Sequence, residues 1–472
     1  MVALALLTVG TTGSAATPTL DLRHDSDLKV VGGCSKSMPA GDANGDGTQD
    51  VVVWRCGLGP QSMVVIFGPF SEGDIDIANL PNGGYEIVGP GDEAQLTSFD
   101  SADVNGDGRG DVLIGYPGAD SGSGRVYVVF GKSSSDTVEL AAFDGGMQGA
   151  QGYRIDGTGG FEGETLAGSP DMNGDGFDEI IVGAPFAGTT YVVFGKNDTL
   201  PVDLQLFQLG LQGEGGFVIH TPGPDRDSGY SVGAAGDVNA DGVPDVVVGV
   251  IPRTHGSPGS AFVVFAEDSP DPVDVTQESF RGFRIQGAQK LDATGHSVDG
   301  AGDVNGDGRD DVIVGAPQEN YHGRGHAYVV FGKTGRRTVL AADLGGDGYK
   351  ITGRKDSYLD NGWESAGSAV AGAGDIDGDG LADVIVGAKW HDYKGRNSAG
   401  ATYVAYGKRS STTIKLRRLG LRGYRIVGEG VGHNTGAYVA GGGDINGDGI
   451  PDVMIGNNTG RPPHIVWGRR WN

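Results

Sequence analysis

The chain has 472 residues, 89 of them glycine and 21 proline, and a formal net charge of −26. The glycines follow no three-residue period, which excludes a collagen-like fibre, and glycine with moderate apolar content is typical of many short strands joined by tight turns. The acidic balance argues against nucleic acid or an anionic membrane as a partner, because both require a basic surface.

The first 25 residues resemble a secretory signal. Residues 1–7 are mostly apolar and the small residues Ser14, Ala15 and Ala16 follow, although a basic start is missing. No later apolar run is long enough to span a membrane. We therefore expect a signal-like segment at 1–25, a single folded domain at 26–472 and a secreted, monomeric product.

One nine-residue motif, D-x-[ND]-x-[D]-G-x-x-[DE], recurs seven times at spacings of 61 to 72 residues. Such a period indicates a repeat architecture. Each motif is preceded by small residues and followed by an apolar β-branched run, a strand that mostly ends in Phe-Gly, and a strand of the Gly-Tyr/Phe-x-Ile type. This order predicts an all-β, seven-bladed β-propeller with four antiparallel strands per blade, because the rungs of a β-solenoid are far shorter.

The ring must also be closed. The last repeat lacks its Gly-Tyr-x-Ile strand, and residues 28–32 near the N-terminus carry a matching pattern. We predict that residues 28–32 form the outer strand of the last blade, which removes an exposed sheet edge.

Each motif is predicted to be a calcium loop. Side-chain oxygens at positions 1, 3, 5 and 9 with a backbone carbonyl at position 7 form the oxygen-rich ligand set of Ca²⁺. In the first four loops these positions are Asp42, Asn44, Asp46, Thr48 and Asp50; Asp103, Asn105, Asp107, Arg109 and Asp111; Asp171, Asn173, Asp175, Phe177 and Glu179; and Asp237, Asn239, Asp241, Val243 and Asp245. In the last three they are Asp303, Asn305, Asp307, Arg309 and Asp311; Asp375, Asp377, Asp379, Leu381 and Asp383; and Asp444, Asn446, Asp448, Ile450 and Asp452.

Position 12 is a strand residue in all seven loops, whereas an EF-hand needs a glutamate there and flanking helices. The loops are therefore predicted to be turns of β-hairpins holding up to seven Ca²⁺; acidic turns without metal are the alternative. Glu179 at position 9 makes the third loop the expected weakest site. Ala240 replaces the glycine of position 4 in the fourth loop, at a cost if its φ is positive.

Cys34 and Cys56 flank the first motif. The antiparallel hairpin places both at the same end, and in an exported protein such a pair predicts a disulfide rather than two buried thiols.

The repeat resembles the FG-GAP repeat of the integrin α-subunit N-terminal propeller over roughly residues 26–472. The Phe-Gly element is present at Phe67, Phe130, Phe194 and Phe331, and Gly-Ala-Pro is intact at Gly183 and Gly315. The resemblance implies calcium loops on the lower face of the propeller and ligand recognition on the upper face. Unlike integrin α-subunits, which carry calcium in only some blades, this chain has the motif in every blade.

Two short motifs are interpreted as coincidental. Asp111 of Arg109-Gly110-Asp111 is itself a loop residue, so we expect it to point inward. The G-x-S-x-G pattern around Ser231 falls on a predicted strand, whereas a nucleophile elbow needs a strand-turn-helix context.

Aromatic and charged residues in the upper loops of blades 5 and 6 are the predicted recognition surface: Tyr321, His322, Arg324, Tyr358, Trp363, Trp390, His391 and Tyr393. Alternatively, these side chains fill gaps between blades. We favour a non-catalytic module that binds a protein or glycan. A hydrolase or lyase using acids such as Glu319, Asp360 and Glu364, and a purely structural protein, are the alternatives.

Overall fold

The computed structural model describes residues 16–55, 61–91, 95–144, 151–211, 213, 215–221, 226–252, 257–267, 269–318, 323–354 and 364–469. Seven small antiparallel sheets form a ring, so the protein is a seven-bladed β-propeller as the repeat predicts. We number the blades by the acidic loop that each contains.

The four antiparallel strands of each blade run from the central channel to the rim. In blades 1 to 4 they are Gly33–Gly41, Asp50–Arg55, Ser62–Ile66 and Gly84–Val88; Ser98–Ala102, Asp111–Tyr116, Arg125–Val129 and Gly152–Asp156; Thr165–Ser169, Glu179–Ala184, Thr189–Val193 and Gly216–His220; and Arg226–Gly236, Asp245–Pro252, Ser260–Val264 and Gly282–Gln286. In blades 5 to 7 they are Val298–Gly302, Asp311–Ala316, His326–Val330 and Gly348–Thr352; Ala366–Gly374, Asp383–Ala388, Ala401–Ala405 and Gly423–Val427; and Tyr438–Gly441, Val453–Gly456, His464–Val466 and Leu28–Val31.

The strand Leu28–Val31 confirms the predicted ring closure. Leu28 pairs with Ile465 and Lys29 with His464 in the antiparallel sense. The N–H of Val30 also donates to the carbonyl of Pro463 at 3.2 Å. The N-terminal part of the chain therefore completes the blade whose other three strands come from the C-terminal end.

Each sheet also has a fifth strand, which the sequence did not predict. It is short, parallel to the outer strand, and supplied by the connection between the third and fourth strands of the next blade. In blades 1 to 5 and in blade 7 these strands are Val138–Glu139, Val202–Asp203, Val273–Asp274, Val339–Leu340, Ile414–Lys415 and Gly73–Asp76.

Blade 6 takes its fifth strand from the N-terminal segment. This segment leads into Leu28–Val31, the outer strand of blade 7, and so occupies the place that the connection between third and fourth strands has in the other blades. Thr19–Asp21 pairs in parallel with Arg425–Val427. Leu20 and Leu22 are 4% and 2% exposed in the adjoining core. The propeller therefore includes residues on the N-terminal side of the expected boundary at residue 26, while residues 1–15 lie outside the described part.

Helical structure is limited to single turns between strands in the described ranges. They are Leu140–Asp144, Leu204–Gln208 and the 3₁₀ turn Leu416–Arg418, whereas Ala119–Gly122 is a turn with positive φ at Asp120 and Ser121.

The core lies between successive blades, where aromatic side chains of the repeat pack edge-to-face. Phe130, from the Phe-Gly element of blade 2, packs against Tyr153 of the outer strand with ring centroids 5.9 Å apart. Equivalent pairs occur in the other blades that have both rings, such as Phe331 with Tyr349 at 6.0 Å. Such pairs stabilise beyond the area they bury, which explains why the repeat keeps both aromatic positions.

Candidate calcium loops and the upper face

Each acidic loop is the turn between the innermost and second strands of its blade, so all seven lie on one face, the lower face. The position 1 aspartate accepts the N–H of the position 6 glycine at 2.7–2.9 Å in every loop. The position 5 aspartate accepts the N–H of position 7 at 2.9–3.0 Å. These bonds fold the predicted ligands over a tight backbone turn.

The position 9 carboxylate is completely buried and joins two parts of its blade. In six blades one oxygen accepts the N–H of the residue in the glycine position of the Phe-Gly element, at 2.8–3.0 Å. The other oxygen accepts a backbone N–H early in the loop. This carboxylate is therefore part of the fold as well as a predicted calcium ligand.

Burial raises the pKa of these position 9 acids, and the other loop carboxylates raise it further. The pKa is about 6 for Asp50, about 7 for Asp452 and about 8 for Asp111, Asp245, Asp311 and Asp383. A divalent cation beside such an acid favours its ionised form.

The third loop differs because its position 9 residue is a glutamate. Glu179 accepts the N–H of Met172 at 2.7 Å, but its Oε1 atom is buried without a hydrogen-bond partner. One oxygen from each of Asp171, Asp175 and Glu179 can lie within 4.8 Å of the other two. Burial, together with these neighbouring acids, raises the pKa of Glu179 to about 9.

The same convergence occurs for Asp375, Asp377 and Asp383 in the sixth loop. An all-oxygen set of carboxylates suits a hard divalent cation, and in loop 3 the buried Oε1 of Glu179 also lacks a hydrogen-bond partner. The donor sets of loops 3 and 6 therefore fit calcium, and the expectation that loop 3 is the weakest site stays a prediction.

Backbone conformation at position 4 is left-handed in all seven loops. The six glycines there have φ between 68° and 78°, and Ala240 has φ 61°. The expected strain at Ala240 is thus present, because an L-residue with a side chain is disfavoured in this region.

Hydrogen bonds link several neighbouring loops around the lower face. The N–H at position 8 donates to the position 1 carbonyl of the preceding loop in four cases, which join Gly110 to Asp42, Asp178 to Asp103, Asp310 to Asp237 and Ala382 to Asp303 at 3.0–3.1 Å. Position 8 is proline in loops 4 and 7, which have no N–H to donate. A change in one loop can therefore reach its neighbour through the backbone.

The upper face lies at the opposite ends of the strands, and the structure describes four of the eight predicted recognition residues. Arg324 is exposed and Trp390 half-buried, with the Lys389 ammonium 5.2 Å from the Trp390 ring centroid. His391 is only 4% exposed, and its Nδ1 lies 3.0 Å from an oxygen of Glu364. Tyr321, His322, Tyr358 and Trp363 lie outside the described residues, as do the acids Glu319 and Asp360.

Tyr393 belongs to a structural cluster at the N-terminal strand. Its ring lies between the guanidinium groups of Arg396 and Arg425, 5.0 and 5.1 Å from its centroid. Arg396 in turn forms a two-point ion pair with Asp21 at 2.6 and 2.9 Å. Sequence reasoning missed this cluster, because Asp21 was assigned to the signal-like segment.

The central channel opens on the upper face as a cavity of about 990 Å³ lined by the innermost strands. Asp100 and Asp299 occupy equivalent positions in blades 2 and 5, and each accepts one backbone N–H from the next blade at 3.2 Å. The Lys36 ammonium lies 4.7 Å from the Phe99 ring centroid. Burial lowers the pKa of Lys36 to about 8 and raises that of Asp299 to about 7, in the latter case helped by Asp100.

The two motifs interpreted as coincidental have structural roles. Asp111 is fully buried, with its oxygens accepting the N–H groups of Val104 and Gly131. Ser231 lies on the innermost strand of blade 4, and its hydroxyl accepts the N–H of Val298 at 3.0 Å.

The predicted disulfide stays a prediction. Cys34 lies on the innermost strand of blade 1 opposite Trp54, and Cys56 falls outside the described residues. Within the described ranges, no helix has the length and apolarity needed to cross a membrane.

Comparison with known proteins agrees with this fold. The FG-GAP repeat family matches residues 96–129, 163–198, 294–330 and 366–405. Integrin alpha pat-2 of Caenorhabditis elegans is 34% identical over 241 residues, which cover 48% of this chain and 18% of that protein. Integrin alpha-PS2 of Drosophila melanogaster is 29% identical over 183 residues, 37% of this chain and 12% of that one.

Phosphatidylinositol-glycan-specific phospholipase D of Homo sapiens is 27% identical over 232 residues, 46% of this chain and 26% of that one. Each match thus spans about a quarter or less of the relative. The chain therefore contains FG-GAP repeats, and integrin alpha subunits are among its homologues.

Proposed function

We propose that this protein is a secreted, calcium-stabilised recognition module whose upper face binds a protein or a glycan. The observation that carries the proposal is that the two faces of the propeller differ in the loops they carry. Every acidic loop lies on the lower face, and in six blades the position 9 carboxylate joins the loop to the Phe-Gly element. The upper face instead presents loops around the mouth of the channel, a common arrangement for recognition on a rigid scaffold.

Calcium has a structural role in this proposal. The acids of loops 3 and 6 converge, and a bound Ca²⁺ would neutralise the carboxylates of each loop that it occupies. The ion would be held by the side chains at positions 1, 3, 5 and 9 with the carbonyl at position 7. We expect chelation to lower the melting temperature, and an unchanged melting temperature would remove calcium from the proposal.

A glycan-array and protein-array screen in millimolar calcium tests the recognition function. Trp390→Ala should reduce binding to any ligand found, because Trp390 is a half-buried aromatic residue of the predicted surface that lies outside the Tyr393 cluster. Phe186→Ala is the matched control, since Phe186 is 56% exposed in an upper loop of blade 3. Equal losses in both variants, or none in either, would show that the surface is misassigned.

The enzyme alternative gains no support from the one predicted acid that is described. Glu364 is 3% exposed, and it accepts hydrogen bonds from the Tyr403 hydroxyl and the Arg354 N–H beside its contact with His391. These contacts hold the carboxylate as a buried, ionised group.

A further inference from the structure

Basic residues are distributed unevenly along this acidic chain. The whole sequence has 35 Lys and Arg against 61 Asp and Glu. Between Asp392 and Glu429, however, there are nine Lys and Arg and no acid. The folded protein therefore carries one strongly cationic segment on an anionic background.

The connections from the third to the outer strand allow a direct comparison, because they occupy equivalent places on the rim. In blades 1 to 5 they carry net charges of −3, −2, −2, −4 and +1. The blade 6 connection, residues 406–422, carries +6 without a single acid. Since the same structural element is acidic in four other blades, the fold itself does not require the positive charge.

Most of these cations face solvent. The buried Leu416 and Leu419 anchor the connection, and Ile414–Lys415 pairs with the outer strand of blade 5. Five basic side chains are exposed, and we call them the basic rim: Arg409, Lys415, Arg417, Arg418 and Arg422.

Intramolecular neutralisation of the basic rim is sparse. Within the described residues, Lys415, Arg418 and Arg422 form no ion pair with a carboxylate. Burial lowers the pKa of the neighbouring Lys408 to about 8, and the positive charge of Arg422 lowers it further. Like charges are thus held close together without acidic partners.

We propose that the basic rim is a binding site for a linear anionic polysaccharide bearing carboxylate or sulfate groups. Guanidinium groups bind such planar or tetrahedral oxyanions through paired hydrogen bonds. A flexible chain can follow the connection itself, whereas a flat anionic membrane would also face the acidic loops, one of which Arg409 contacts through the Gly306 carbonyl at 3.3 Å. Tyr406 and Tyr424 are buried, so the segment offers no stacking platform for nucleic-acid bases. This site is separate from the upper face and does not depend on the proposed function.

The test is heparin binding by the full chain in calcium, measured by surface-immobilised heparin at several salt concentrations. Lys415→Gln, Arg418→Gln and Arg422→Gln are combined in one variant. The control combines Arg23→Gln, Arg55→Gln and Lys290→Gln, which removes three exposed cations from other surfaces. A third variant with Arg418→Lys and Arg422→Lys retains the charge.

We expect the rim variant to lose about tenfold in affinity at 0.1 M salt, from roughly 0.5 kcal/mol per exposed contact. Its salt dependence should also fall by roughly one unit of slope per lost contact, as for other linear polyanions. The control should bind like the parent protein, and the lysine variant should retain most of the affinity.

Equal binding by the rim variant and the parent protein overturns the proposal, as does an equal loss in the control. Binding to phosphatidylserine vesicles or to single-stranded DNA, but not to heparin, would assign the rim to another partner and also overturn it. Salt-sensitive self-association of the parent protein without heparin binding would identify a second copy as the occupant and exclude the polysaccharide.

Discussion

Ala240 offers a sensitive test of the loop geometry, because it is the one position 4 residue with a side chain. Its φ of 61° lies in the left-handed region, where a side chain costs about 1–2 kcal/mol. Glycine relieves that strain but loses about 0.5–1 kcal/mol through the greater freedom of the unfolded chain. We therefore expect Ala240→Gly to stabilise the protein by about 0.5–1 kcal/mol.

Gly447 is the matched control at position 4 of the seventh loop. Its φ is 77°, and a Cβ atom added there would meet no atom within 4 Å. Gly447→Ala should therefore destabilise by about the same amount through backbone strain alone. One substitution removes a methyl group and the other adds one, so they should change the free energy of unfolding in opposite directions.

Urea unfolding at saturating calcium measures both changes, provided that the slopes of the transitions match that of the parent protein. Melting temperature is the poorer measure, because 1 kcal/mol shifts it by only a few degrees in a domain of this size. Destabilisation by both variants would refute the assignment of left-handed strain to Ala240. It would indicate that the alanine side chain makes a stabilising contact instead.

Three further predictions test other parts of the structure. A chain that begins at residue 26 should be less stable than one that begins at residue 16, by about 3–5 kcal/mol, because Leu20 and Leu22 lose their burial; equal unfolding midpoints would show that Thr19–Asp21 does not pair with blade 6. In chelator, Glu179→Asp should raise stability by about 1 kcal/mol, because the shorter side chain can reach a backbone N–H as in the other six loops; Asp452→Glu should do the reverse, and the idea fails if both variants destabilise. Burial opposes ionisation of Asp21, but hydrogen bonds from Arg23 and Arg396 outweigh it and hold its pKa well below the ordinary range. Its contribution is therefore complete above about pH 4 and is lost at lower pH. Asp21→Asn should lower the free energy of unfolding at pH 7, and the difference from the parent protein should shrink below pH 4; a difference that does not change with pH would exclude the ion pair as its cause.

The fold was predictable because the same sequence pattern occurs seven times along the chain. The spacing of the motifs fixed the number of blades, and the missing outer strand after Trp467 identified residues 28–32 as its replacement. The glycines at position 4 of the other loops made Ala240 stand out, and its φ proves to be positive. Each of these inferences compares one repeat with the six others, so a wrong assignment in one repeat would disagree with the rest.

The structural features that the sequence did not predict have no recurring sequence motif. The fifth strands of most blades, such as Val138–Glu139, have two residues and are defined only by the neighbour with which they pair. Thr19–Asp21 was hidden because its flanking residues resemble the end of a signal. Aromatic composition likewise could not show that the Tyr393 ring contacts two guanidinium groups beside the N-terminal strand.

The buried carboxylate at position 9 organises the propeller even before the proposed calcium is considered. In six blades it bonds the loop to the Phe-Gly element through backbone N–H groups, and these bonds need no metal. The acids at positions 1 and 5 are less buried and bond to N–H groups of their own loop, so in the proposed function a bound Ca²⁺ would act mainly on them. Because position 8 connects several neighbouring loops, occupancy of one site should stiffen the next. If calcium binds as proposed, a ring built in this way would keep its blades in place when calcium is scarce and become more rigid as the loops fill.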